Sequence, residues 1–334
     1  MAKLKAEVEH AHHEEHGIDL RTRLLGNFEQ LAPLGSKLAP LSNLPAKLPG
    51  AGVVMEKVLG IAKERELPAF RSESLTDWFE ARGGAGIPRA EADRDVLLFP
   101  DVYTTYTNPG AGKAAVRVLE AANCHVRIPD VDGSGAAPLE GDARQVSEGR
   151  RRRRRDARAG REGRLGRCRR RAHRRVMLQT DYHDLLDGDA SDVPDDDVAA
   201  VSANTYGVME YVDAHRLDEG IDLDAPTESL TYHGHCHQKA TKKDHHAVGV
   251  LRRAGYGVDP LDSSCCGMAG SFGYEAEHYS MSKAIGRELF DQVDESDGDE
   301  VVAPGASCRS QLKERDGGAP EPPHPVEKLA AALA

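Results

Sequence analysis

Apolar positions in the first eighty residues recur at helical spacing. Ala2–His16, Leu20–Leu34 and Met55–Arg65 each read as a helix, with a proline- and glycine-marked stretch between Leu34 and Gly50. Ala2–His16 has no capping residue before it and reads as the continuation of an upstream element. The basic and apolar mix of this region fits a helical arm packed on its own protein, the favoured reading, or a segment lying against a membrane surface or a partner. Residues 81–86 (ARGGAG) mark a boundary. The period then changes. Asp95–Pro100 (DVLLFP) reads as a buried strand, Ala111–Ala122 as a helix and His125–Ile128 as a short strand, a unit that implies a parallel sheet. The pattern returns as strand Glu228–Tyr232, helix His245–Ala254 and strand Tyr256–Val258, followed by helix His278–Val293 and strand Glu300–Ala303.

At an offset of 132 residues the second unit overlays the first. Val116, Val118 and Leu119 fall on Val248, Val250 and Leu251, and Asn123 falls on Gly255, a helix C-terminal cap in both. Val126 falls on Val258, and Gly133-Ser134-Gly135 on Cys265-Cys266-Gly267. The expected fold is therefore α/β: tandem duplicated parallel-sheet domains preceded by a helical arm. The expected boundaries are 1–80 for the arm, 94–225 for the first domain and 226–320 for the second.

Composition complicates the first domain. The chain carries 55 acidic and 44 basic residues, a net charge of -11. Residues 150–175 hold fifteen arginines and only Asp156 and Glu162 as acids, so that window alone carries +13 and the remainder -24. An acidic remainder of that size fits a halophilic cytoplasm, where salt screens self-repulsion, although an ordinary acidic soluble protein is the plainer reading. The block has no apolar periodicity, so residues 136–175 are not expected to supply a helix and a strand. Two accounts compete: a basic nucleic-acid-binding or disordered tract, and coding sequence read out of frame. Near-conservation of the offset across the block (Val176 falls on Cys308) favours the frame error, and no nucleic-acid partner is expected. No run of 18 apolar residues occurs, and the amino terminus shows no apolar run followed by a cleavage signal. The expectation is a cytoplasmic protein.

Of six cysteines, four fall within 73 residues: Cys236, Cys265, Cys266 and Cys308. Each lies just beyond a predicted strand, the edge at which ligands collect in open parallel sheets. Without a secretion signal a disulfide framework is disfavoured. Four thiolates suit an iron–sulfur cluster or zinc. Side chains of adjacent residues point apart, which is awkward for one tetrahedral ion and easier for a multi-iron cluster. Buried core thiols or a redox-active vicinal pair are the bland alternatives for Cys265-Cys266. Gly267, Gly270 and Gly273 allow tight turns whose amides could face sulfur. His233, His235 and His237 are further candidate ligands or proton-transfer groups, whereas His245 and His246 read as helix-surface residues. Cys124 reads as a packing residue, and Cys168 lies in the suspect block. In the first domain Thr104 stands in the place of Cys236 and Gly133-Ser134 in that of the vicinal pair, so that domain reads as a scaffold.

These residues resemble the cysteine-rich CCG domain, found in the heterodisulfide reductases, in anaerobic glycerol-3-phosphate dehydrogenase and in the iron–sulfur subunits of glycolate- and D-lactate-oxidising enzymes. Cys236 matches the family's first cysteine, Cys265-Cys266-Gly267 its Cys-Cys-Gly, and Cys308 the first cysteine of its terminal Cys-x-x-Cys; Gln311 replaces the last. The overall likeness is to the carboxyl-terminal half of archaeal FAD-linked oxidases. The resemblance implies a cluster of the 4Fe–4S type on Cys236, Cys265, Cys266 and Cys308, and an electron-transfer role in a 2-hydroxyacid or glycerol-3-phosphate dehydrogenase. It also implies partners: a flavin-containing dehydrogenase domain or subunit carrying the FAD, a ferredoxin-like domain, and a quinone or other carrier, with peripheral association at the inner membrane face. Nothing in the chain is expected to accept a hydride, so it is not expected to be catalytic alone. A structural zinc module is the alternative.

Overall fold

The computed structural model describes residues 15–129, 195–263, 265–315 and 320–334, with residues 8, 12 and 179 and the backbone of 166–169. Most of Ala2–His16 and of the block 136–175 lies outside the described residues. The protein has a mixed α/β fold, with a helical amino-terminal region and two small parallel sheets.

The arm begins with helix α1 (Leu20–Gly26), capped by Asp19, whose Oδ1 accepts from the Thr22 amide at 2.7 Å. The single helix expected over Leu20–Leu34 is two. Asn27 leaves helical geometry at φ -95, ψ 9 and α2 (Phe28–Lys37) starts anew. The helix expected over Met55–Arg65 is α3 (Ala51–Leu59), stopped by Gly60 at φ 63. Apolar residues continue past Gly60, which made the pattern look longer than the helix. One face of the arm packs inward: Phe28 stacks between Phe70 and Tyr103, and Asn43 exchanges two hydrogen bonds of 2.9 Å with the Phe70 backbone. Leu34, Leu38, Leu41, Leu48, Val54 and Val58 stay exposed. Helix α4 (Leu75–Ala81) follows, opened by a capping box between Ser74 and Asp77.

The first sheet has the order β2-β1-β3-β4, all parallel, from β1 (Arg94–Phe99), β2 (Cys124–Arg127), β3 (Gly166–Arg169) and β4 (Thr205–Gly207). Helices α5 (Val102–Tyr106) and α6 (Pro109–Ala121) join β1 to β2. β3 departs from expectation, because no strand was read in the arginine-rich block. Ladder bonds come from the main chain and ask little of sequence, and a strand here fills the place between β1 and β4. Helices α7 (Asp195–Ala203) and α8 (Val208–Ala214) flank β4.

The second sheet has the order β6-β5-β7, also parallel, from β5 (Ser229–Tyr232), β6 (Gly257–Pro260) and β7 (Glu300–Val302). Helices α9 (Cys236–Ala240) and α10 (His245–Arg253) lie between β5 and β6, α11 (Tyr279–Glu295) precedes β7, and α12 (Ala306–Lys313) and α13 (Pro325–Ala331) follow it. Both units thus run strand, five-residue helix, longer helix, strand. Asn123 at φ 52 and Gly255 at φ 109 end the longer helices.

One buried cluster joins the sheets: Val96 and Leu98 of β1, Leu119 of α6, Tyr211 of α8, Leu230 and Tyr232 of β5, Leu251 of α10, and Val326 and Leu329 of α13. Helix α13, which lies past the boundary read at residue 320, packs against both α6 and α10. A second, smaller cluster of Leu261, Cys266, Met268, Leu289, Cys308 and Leu312 lies beneath the carboxyl ends of β5–β7. Cys124 is a packing residue, fully buried, and burial pushes its thiol up to about 11. At pH 8 only about 0.1% would be thiolate. Iodoacetamide is expected to leave Cys124 unmodified in the native chain and to modify it fully in urea; peptide mapping that finds native labelling would contradict this placement.

Candidate metal centre

β5 is the middle strand, and the loops leaving β5, β6 and β7 emerge side by side at one edge. Past Tyr232 the chain is tied to both neighbours: the His233 amide donates to Val302 O at 3.0 Å, and the Leu261 amide to Tyr232 O at 2.9 Å. Cys236 is the first residue of α9, whose N-cap is His235. Cys265 and Cys266 follow β6. Cys308 lies in the first turn of α12, after Gly305.

The structure brings the four thiols together. Cys266 is in hydrogen-bond contact with both Cys265 and Cys308, and Cys236 lies close enough to Cys265 to feel its charge. All four are free thiols, Cys266 only 5% and Cys308 2% exposed. Among the described residues no three of these sulfurs lie mutually within 4.8 Å. Sulfurs around one zinc stand roughly 3.8 Å apart, given Zn–S bonds of about 2.3 Å. The thiols therefore run as a string with Cys266 in its middle. Four thiolates are the donor set of either zinc or an iron–sulfur cluster.

Ionisation is resisted at Cys265, Cys266 and Cys236. Contact with Cys266, then burial, pushes the Cys265 thiol up. Contact with Cys265 favours the Cys266 thiolate, but contact with Cys308 and burial outweigh it, so Cys266 also moves up. Burial and then the neighbouring Cys265 raise Cys236. Thiols crowded this way hold protons until a stronger cation displaces them, which couples metal uptake to proton release. Lys239 of α9 is the local positive group. Its Nζ donates to Leu261 O at 2.8 Å and Ser263 O at 2.5 Å; burial moves its pKa down, against Asp244, Asp262, Cys308 and Cys236, which favour its charge.

Two glycines let the loops close. Gly267 sits at φ +88, where an added Cβ would stand 2.2 Å from Ser282 O, and its amide donates to Cys265 Sγ at 3.4 Å. A Cβ on Gly305 would stand 2.4 Å from the His235 ring and 2.9 Å from Cys308 Sγ.

The candidate histidines separate. His237 is exposed, and His235 is spent on capping α9, its Nδ1 accepting from the His237 amide at 3.2 Å. His233 is buried, with Nδ1 2.6 Å from Ser263 Oγ. Burial, then Lys239, pushes it down to about 4, so the ring is neutral at physiological pH. His245 is exposed, and His246 pairs with Asp213 at 2.6 Å. Their ligand atoms and that of Asp213 lie within 4.8 Å of one another, as do those of Glu275, Glu277 and His278. Arg253 already pairs with Asp213 and Arg21 with Glu277, so both groups carry their own counter-charge.

Gln311, which stands where the motif has its last cysteine, is fully buried and engaged elsewhere. Its Oε1 accepts from Arg65 at 2.7 Å and its Nε2 donates to Ser282 O at 3.1 Å. Arg65, a residue that sequence reasoning did not single out, reaches in from the arm. It is 2% exposed, donates to Gly273 O at 2.6 Å and Ser282 Oγ at 2.8 Å, and pairs with Glu314 at 2.7 Å. The arm also lies along the cysteine unit at Ile61, which bridges to Glu275. In the first unit Thr104 lies on α5, bonded through Oγ1 to the capping Asp101 at 3.0 Å. Gly133, Ser134, Val176 and the Cys168 side chain lie outside the described residues.

Residues 230–313 match the CCG cysteine-rich domain. Over 333 residues the chain is 25% identical to the C subunit of anaerobic glycerol-3-phosphate dehydrogenase from Escherichia coli (strain K12), covering 94% of this chain and 78% of the relative. Over 105 residues it is 31% identical to D-2-hydroxyglutarate dehydrogenase of the same strain, covering 30% of this chain and 10% of that protein. No helix among the described residues is long and apolar enough to cross a membrane.

Proposed function

We propose that this CCG-domain protein, a distant relative of a glycerol-3-phosphate dehydrogenase subunit, is the iron–sulfur electron-transfer portion of an FAD-linked dehydrogenase. The substrate class is a 2-hydroxyacid of the D-lactate or glycolate type, or glycerol 3-phosphate. The observation that carries the reading is the string of four free thiols at the carboxyl edge of β5–β7. Cys236, Cys265, Cys266 and Cys308 would hold a cluster of the 4Fe–4S type, which supplies one-electron chemistry between a flavin on a partner domain or subunit and a quinone or other carrier. The chain's own groups shape that chemistry. The Gly267 amide facing Cys265 Sγ withdraws charge from sulfur, Lys239 offsets the thiolates, and the apolar floor of Met268, Leu289 and Leu312 keeps water from beneath the site. Matching element order and matching caps at Asn123 and Gly255 support a duplication in which the first unit is a scaffold. The exposed leucines and valines between Leu34 and Val58 offer apolar surface for the flavin-bearing or ferredoxin-like partner, in a cytoplasmic complex.

Anaerobic purification followed by iron and acid-labile sulfide analysis tests the reading. The expected result is iron and sulfide in equal amounts, with a broad visible absorption that bleaches on reduction. Stoichiometric zinc without sulfide would replace it with a structural zinc module.

A further inference from the structure

His233 is held from two sides and left open on a third. Its main-chain amide is bonded to β7 through Val302 O at 3.0 Å, and its Nδ1 lies 2.6 Å from Ser263 Oγ on the loop that leads to Cys265. Ser263 is itself buried, and its carbonyl accepts from Lys239 Nζ at 2.5 Å, so the partner of the ring is fixed in place. The ring is 1% exposed, and Nε2 is buried with no hydrogen-bond partner among the described residues. An unmet buried polar atom is rare enough in folded proteins to call for a ligand. His233 stands three residues before Cys236 and its partner Ser263 two before Cys265, which puts the ring at the base of the loops that carry the thiols.

Resting on the iron–sulfur reading, we propose that His233 donates a hydrogen bond from Nε2–H to a sulfur of the centre held by Cys236, Cys265, Cys266 and Cys308, with Ser263 fixing the tautomer by donating Oγ–H to Nδ1. Hydrogen counting selects the donor role over ligation. Ser263 Oγ has His233 as its one partner among the described residues. If the hydroxyl donates, Nδ1 and the hydroxyl hydrogen are both satisfied, and the remaining N–H is met by sulfur. If instead Nε2 bound iron, Nδ1–H would donate to the hydroxyl and the Ser263 hydrogen would have no acceptor among the described residues. Four thiolates already supply the protein ligands such a centre takes. His233 is therefore a positioning and tuning residue. Its N–H draws negative charge from sulfur and favours the added electron, which raises the reduction potential.

The test uses the anaerobically purified full chain. Iron and sulfide are measured first, and their absence from the wild type removes the iron–sulfur reading and this inference together. With the cluster present, His233→Leu is expected to keep the iron and sulfide content while its midpoint potential falls. A tenfold change in the equilibrium constant is about 59 mV for one electron. His233→Gln, which keeps a donor, recovers part of the shift, and Ser263→Ala lowers the potential in the same direction. In wild-type protein labelled with 15N-histidine, a weak nitrogen hyperfine coupling to the reduced cluster is expected. This readout decides the matter if the variants do not fold. An unchanged potential in a fully loaded His233→Leu protein, a strong coupling from a directly bonded imidazole, or no coupling at all overturns the inference and leaves the iron–sulfur reading standing.

Discussion

Cys266→Ser is expected to lower iron and acid-labile sulfide content at least about tenfold, since even outer-shell losses cost 10–100-fold in metal affinity. Cys266 is the middle of the thiol string, touching Cys265 on one side and Cys308 on the other. It is packed among Leu261, Met268 and Leu289, where a serine hydroxyl would find neither water nor the softness that iron and sulfide prefer. Cys124→Ser is the matching control, because Cys124 is buried on β2 of the first sheet and takes no part in the string. Its iron and sulfide are expected to equal those of the wild type. Colorimetric iron and sulfide assays on both variants decide the point, and equal loss in the two would show that any buried thiol matters and that the string does not.

Arg65→Met is expected to cost the fold about 3–5 kcal/mol, the range for removing one partner of a buried charge network. The guanidinium reaches Gly273 O, Ser282 Oγ, Gln311 Oε1 and Glu314, and it lies 4.9 Å from the Tyr279 ring centroid. Methionine fills the volume and leaves the buried Gln311 oxygen and most of the Glu314 charge unanswered. Arg65→Lys is expected to recover little, because one ammonium cannot serve several directions as a planar fork does. Urea unfolding followed by circular dichroism reads the loss as a fall in the midpoint. Limited proteolysis should meanwhile cut the arm between Gly60 and Ser74 in the variants and spare it in the wild type. A midpoint within error of wild type would mean that the arm docks by its apolar contacts alone.

Much of the second sheet was legible from period and punctuation. β5, α10, β6, α11 and β7 lie within two residues of their expected bounds, because each apolar run is closed by a glycine, a proline or a charge. The position of Cys236, Cys265, Cys266 and Cys308, each just past a strand of one parallel sheet, followed from the same reading. What stayed hidden depends on partners remote in sequence. Arg65 reads as an ordinary charge at the end of an amphipathic pattern until Gln311, 246 residues later, is seen across from it. The open ring nitrogen of His233 is likewise a property of three loops together. Helix α13 carried local signals, with His324 before Pro325 and Glu327 closing a capping box. Its seven residues give too few turns for the apolar period to register. At β3 the sequence offered no apolar signal, and the strand is recognisable only by its place between β1 and β4.

The position of α13 sets an order on synthesis. Val326 and Leu329 fill the space beside α6, a helix made some two hundred residues earlier, so on the ribosome that part of the amino-terminal half waits uncovered until the nascent chain has passed Ala331. Contacts of such long sequence separation form slowly, and in the interval the unfinished surface is exposed to self-association. Expression should therefore respond to chaperone supply, and truncations that remove only the last dozen residues should aggregate although every proposed cluster ligand remains.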